Sequence, residues 1–158
     1  MKDDTFFMRM AIKMATENVE NGNGGPFSSV IVNKQQEVVG TGVNEVVKSH
    51  DPSAHGEVVA IRNACKSLKT FTLEGCTIYT NTEPCPMCWG CCSWARLDRI
   101  VYGNTRTDAA KIGFSDAEFY EEISKPIALR KLPSSQCLHN EAIETFDIWK
   151  NKIDKTEY

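Results

Sequence analysis

The sequence predicts an α/β layered sandwich whose sheet is partly parallel, and three observations carry that prediction. Segments of helical and strand period follow one another in the order helix, strand, strand, helix, strand, helix, strand, and a helix between two strands lets them pair in parallel. The length of 158 residues is that of one domain able to bury a core without disulfides. A composition of 41% hydrophobic and 25% charged residues is that of a globular chain, which excludes disordered and fibrous classes.

Between Thr5 and Asn21 the apolar residues Phe7, Met10, Ala11, Met14 and Ala15 fall on one helical stripe, with Asp4 or Thr5 placed to cap the start and Gly22 to end the helix. NGNGGPF then supplies a turn, and SSVIVN and EVVGTGVN, separated by KQQ, read as a β-hairpin. VVKSHDPSA is a loop, and HGEVVAIRNACKSL follows as a helix carrying Val58, Ile61, Cys65 and Leu68 on one face. CTIYTN is a third strand, EPCP opens a second central helix that runs to about Arg96, and DRIVYGN is a fourth strand. Beyond Asn104, DAAKIGFSDAEFYEEI reads as a loop and a short helix, KLPSSQCLHNEAI is expected to hold a short edge strand, and FDIWKNKIDKTEY is a last helix or docked tail. No repeat, low-complexity run or linker divides the chain, so residues 1–158 are read as a single domain.

The charge balance narrows the partners. With 18 Lys and Arg against 21 Asp and Glu the net charge is −3, and the longest basic run is the pair Arg130 and Lys131, which argues against a phosphate backbone as ligand. The N-terminal MKDDTFFMRMAIK interrupts its apolar residues with charges, and no stretch approaches the roughly 18 apolar residues of a membrane span. A cytoplasmic location is therefore expected. In that reducing compartment seven cysteines, an odd number, are better read as metal ligands or buried thiols than as disulfides.

Four of the seven crowd into EPCPMCWGCC. Cys85 and Cys88 have CxxC spacing at a predicted helix start, where backbone N–H groups and the helix dipole favour thiolates. Cys91 and Cys92 lie about 4.5 and 6 Å further along the helix axis than Cys88, too far to share an ion at the tip, and are expected to be small packing residues. Upstream, HGE places the imidazole of His55 and the carboxyl of Glu57 at the start of another helix. One His and two Cys make three protein ligands, which leaves the fourth position of a tetrahedral zinc to water, the arrangement of a catalytic site. Such a metal lowers the pKa of its water to about 7, and Glu57 is placed to carry that water's proton. H-x-E with P-C-x-x-C is the signature of the zinc nucleobase deaminases.

On these residues the sequence resembles the cytidine deaminase superfamily and, within it, the bacterial guanine deaminases. The likeness spans GGPFSSVIV, the Asn44 strand end, DPSAHGEVVAIRNAC, TNTEPCPMCWG, TDAAKIGFSD and the EY terminus. It implies a three-layer α/β/α sandwich around a central mixed five-stranded sheet, one Zn2+ per subunit held by His55, Cys85, Cys88 and a water or hydroxide, and Glu57 as the proton shuttle. It further implies Asn44 and Asp116 as purine-contacting residues, Asp116 also assisting proton transfer to the leaving amino group, with Phe27 stacking on the ring. The segment of about 135–158 is implied to be exchanged in a homodimer, so that Tyr158 closes the partner's pocket. The implied reaction is hydrolysis of guanine to xanthine and ammonia: a metal-activated water attacks C2 while Glu57 protonates N3. Deamination of adenosine in transfer RNA, or of guanosine or an aminotriazine such as ammeline, is the alternative. Three departures from the family pattern bear on pocket shape: HGE for HAE, Ser28 and Ser29 for a Gly-Ala pair, and Cys91 and Cys92 for small apolar residues.

Several residues also have plainer readings. Asn44 suits a turn that ends a strand, Asp116 an ordinary N-cap, and Tyr158 a frayed chain end. Phe146 and Trp149 suit a tail anchor. His50 and His139 lack partners at ligand spacing, and Cys65 and Cys76 sit where buried free cysteines sit.

Overall fold

The structure, a computed structural model, describes residues 2–158 and forms two compact units that divide between Asp116 and Ala117. The first unit opens with α1, Asp4–Glu20, which buries Phe7, Ala11, Ala15 and Asn18 along one stripe. Its N-cap is Asp3, whose carboxylate accepts from the Phe6 amide at 3.0 Å, and not Asp4 or Thr5 as the sequence suggested. Asp4 is drawn away to a tertiary partnership with the guanidinium of Arg99 and the hydroxyl of Tyr79, while Thr5 donates to Asp3.

Strands β1, Ser28–Val32, and β2, Val38–Val43, form the predicted antiparallel hairpin. A one-turn helix α2, Val46–Ser49, interrupts the expected loop, and His50 caps it in a left-handed conformation. Then come α3, Gly56–Leu68, β3, Thr77–Thr82, α4, Pro86–Trp94, β4, Arg99–Asn104, and α5, Arg106–Lys111. Sheet order is β2-β1-β3-β4: β1 pairs antiparallel with β3, and β3, across the α4 crossover, pairs parallel with β4. Every residue of β1 is buried, as a central strand covered on both faces must be.

Alternation along β1 divides the core in two. Val30 and Val32 point to α1 and pack with Phe7, Ala11 and Tyr79. Ile31 points the other way, into a cluster with Ala60, Ile61 and Ala64 of α3, Ile78 of β3 and Cys92 of α4. The first unit is thus a helix, a mixed sheet and a second helical layer, as expected for the α/β/α arrangement.

The sheet has four strands among the described residues, not the expected five. The second unit consists of α6, Ala117–Ser124, a 3-10 turn at Ile127–Leu129, and α7, His139–Asn151. KLPSSQCLHNEAI, read as an edge strand, contains Pro133, which has no N–H to give a ladder. Leu138, at φ 51, turns left-handed to cap α7 and breaks the extended run.

Candidate metal centre and active site

The starts of α3 and α4 carry the chemistry. His55 is the N-cap of α3 and Cys85 the N-cap of α4, both extended, with Cys88 buried one turn into α4. Pro86 opens α4 at a position where a helix has no use for an N–H, and its ring fixes the helical φ. The Nδ1 of His55 lies 3.6 Å from the Cys85 sulfur and 3.5 Å from the Cys88 sulfur. A tetrahedral zinc with Zn–N near 2.0 Å and Zn–S near 2.3 Å separates N from S by roughly 3.5 Å, so these donors fit that ion. Among the described residues this is the one group of three or more His, Cys, Asp or Glu donors within 4.8 Å of one another.

Electrostatics suit a cation there. Cys85 is pushed down to about 4, first by the hydrogen bond from the Cys88 thiol and then by His55 and the Cys88 amide. Cys88 is pushed up in turn, because it holds the proton that the Cys85 thiolate accepts, and because it is buried. His55 is raised by its bond to Cys85. An ion held by these donors would take the place of the thiol protons.

Glu57, in the first turn of α3, is only 6% exposed. Burial pushes its carboxyl above the usual range and the charge of Cys85 adds to this, while its own amide, Cys88 and His55 pull it down. Asp116 is half-buried and also raised, first by burial and then by the negative charges of Cys85 and Glu83, while its own amide and Arg106 pull it down; it is thus within electrostatic reach of the Cys85 sulfur. As expected, Cys91 and Cys92 are packing residues: Cys92 lies in the core with its thiol pushed up to about 12 by burial, and Cys91 packs against the same cluster.

Asn44 follows β2 and is buried. Its backbone is fully engaged, the amide donating to the Phe27 carbonyl at 2.9 Å and the carbonyl accepting from the Asn18 side chain at 3.0 Å. Its side-chain amide carries both a donor and an acceptor. Phe27 stacks edge-on against Phe114 with ring centres 4.9 Å apart. Tyr158 belongs to the second unit and is exposed there. A cavity of about 730 Å³ beside α1 includes Phe27 but none of His55, Glu57, Cys85 and Cys88, so it is not the metal chamber.

Two positioning residues escaped the sequence reading. Asn18 donates to the carbonyls of both Gly25 and Asn44, and Asn81 accepts from the Ser28 amide while donating to the Pro26 carbonyl. Together they fix the turn that carries Phe27. The signal was present for Asn18: it extends the stripe of Phe7, Ala11 and Ala15, where a polar side chain must find partners.

Three protein donors are one fewer than a structural zinc takes, and with a buried carboxyl in the first turn of α3 they fit the donor set of a hydrolytic zinc centre. The chain belongs to the cytidine and deoxycytidylate deaminase family, whose zinc-binding region matches residues 1–104. It is 45% identical to the guanine deaminase of Bacillus subtilis (strain 168) over 158 residues, 100% of both chains. The X-ray structure of guanine deaminase from Bacillus subtilis superimposes with a TM-score of 0.95 at 44% identity, covering 100% of this chain and 99% of that one. The tRNA-specific adenosine deaminase of Buchnera aphidicola subsp. Schizaphis graminum is 31% identical, covering 94% of this chain and 95% of the relative. Among the described residues no helix is long and apolar enough to cross a membrane.

Proposed function

We propose that this chain hydrolyses guanine to xanthine and ammonia, as a zinc aminohydrolase acting on the C–N bond of a cyclic amidine. The observation that carries this reading is the His55, Cys85 and Cys88 donor set with Glu57 buried beside it, in a chain that matches a guanine deaminase along its whole length. When bound, zinc supplies a Lewis acid that makes a water nucleophilic near neutral pH. Glu57 takes a proton from the attacking water and delivers it to N3 as C2 becomes tetrahedral. Its raised affinity for protons, a consequence of burial, suits a group that must both accept and donate. Asp116 shares the field of the Cys85 sulfur and assists protonation of the leaving amino group.

The side-chain amide of Asn44 offers a donor and an acceptor, the complement of a purine edge. Phe27 lies against one face of the base. The segment 135–158 is exchanged in a homodimer, which brings Tyr158 over the partner's pocket; in support, α7 exposes the large apolar side chains of Phe146, Ile148 and Trp149. The working location is the reducing cytosol, where the ligand thiols stay free.

The test is to incubate zinc-loaded protein with guanine, guanosine, adenine, cytidine and ammeline, following ammonia release and the ultraviolet change from guanine to xanthine. Turnover of guanine that disappears in Glu57→Ala is the expected result. Silence on every free base and nucleoside, with ammonia released from adenosine in transfer RNA, would replace guanine by the nucleic-acid substrate.

A further inference from the structure

We propose that Gly56, the residue between His55 and Glu57, is a positioning residue: its peptide is seated directly on the adjoining backbones of β1 and β2, and that clamp sets where both flanking side chains stand. The inference rests on the zinc-site reading above and deepens it.

A Cβ on Gly56 would lie 2.9 Å from the Ser28 Cα, 3.1 Å from its N and 3.2 Å from its carbonyl carbon. All three are main-chain atoms of a central strand, which cannot swing aside as a side-chain tip does. On β2, a Cβ on Gly42 would lie 2.3 Å from the Gly56 carbonyl oxygen and 2.3 Å from the Ala60 amide nitrogen. The first turn of α3 therefore rests directly on the two strands with no side chain between them. A peptide held this way fixes the direction in which His55 leaves on one side and Glu57 on the other, as packed supports fix metal ligands generally.

Ser28 makes the clamp stiff. It is fully buried, and its side chain points to the opposite layer, where Oγ donates to the Ala11 carbonyl at 2.5 Å. Its amide donates to Asn81 and its carbonyl accepts from Thr80. Because the Ser28 side chain fills the space between β1 and α1, the strand cannot retreat from α3. A methyl at Gly56 would therefore push the helix, and with it His55 and Glu57. Removing the Ser28 side chain would give the strand room to yield.

The experiment compares wild-type zinc protein with G56A, S28G and S28G/G56A, reading the rate of zinc loss to excess chelator and, separately, kcat and KM on guanine. G56A is expected to release zinc about tenfold faster, the scale of a lost ligand support, and to lose about tenfold or more in kcat with little change in KM. S28G/G56A is expected to recover at least half of the lost zinc retention on a logarithmic scale. Zinc retention and kcat both within twofold of wild type in G56A would overturn the proposal, as would a double variant no better than G56A. Where G56A does not fold, a folded, zinc-retaining double variant supports the clamp and an unfolded one overturns it. Zinc retention needs no substrate, so failure on guanine alone would count against the substrate and not against the clamp.

Discussion

Burial raises the Glu57 carboxyl above its ordinary value, so folding favours the protonated form. The contribution to stability is therefore fully present below the unfolded pKa and is lost as pH rises through the folded one. In the metal-free protein Glu57→Gln is expected to be more stable than wild type at neutral pH, with the difference shrinking as pH falls below that range. Urea titrations of both metal-stripped proteins at pH 5 and pH 7.5 check it; equal midpoints at pH 7.5 would contradict it. The same substitution is expected to lower kcat by about 100-fold or more, since it removes the proposed proton carrier. At this scale the candidate donors His55, Cys85 and Cys88, with Glu57 buried nearby, were legible because they stand at spacings few other constraints explain. Asn81 was not, because its partners, the Ser28 amide and the Pro26 carbonyl, lie 53 and 55 residues away.

The two helices that bear the ligands differ in how much side chain they tolerate at glycine. In α4, a Cβ on Gly90 meets nothing within 4 Å, whereas in α3 one on Gly56 meets a strand. G90A is accordingly expected to raise stability by about 0.5 to 1 kcal/mol, through a stiffer unfolded chain and better helix propensity. Thermal unfolding checks it, and a lower Tm than wild type would show that Gly90 has a role the packing does not reveal. Helices and strands were legible because their periods are strong: the stripe of α1 and the valine-rich β1 are set by burial on known faces. Their ends were not. Asp3, Asp4 and Thr5 are three successive residues able to cap α1, and the choice fell to Asp3 because Arg99 and Tyr79 engage Asp4. Local sequence does not contain a partner 95 residues distant.

For the whole molecule, the sequence order implied crossovers but not which strands they join. That β1 lies beside β3 and not at an edge follows from burial on both of its faces, which alternation alone does not reveal. The missing fifth strand belongs here as well, since a strand exists only where a neighbour completes its ladder. Deleting residues 135–158 is expected to turn a dimer into a monomer and to cut guanine turnover about 100-fold, while leaving zinc bound. Sedimentation and metal analysis of the truncated protein check this; a truncated dimer with full turnover would refute the exchange.

The ligands also have a history in time. His55 lies before β3, and Cys85 and Cys88 lie after it, so their donors are 30 and 33 residues apart along the chain yet meet within one coordination shell. They come together only when the slow, non-local pairing of the central strands has closed the loop between them. Zinc capture is thus expected late in refolding. A stopped-flow experiment with a chromogenic zinc indicator is expected to show the metal leaving the dye after helical ellipticity has recovered, the ion serving as a clock that strikes only at assembly.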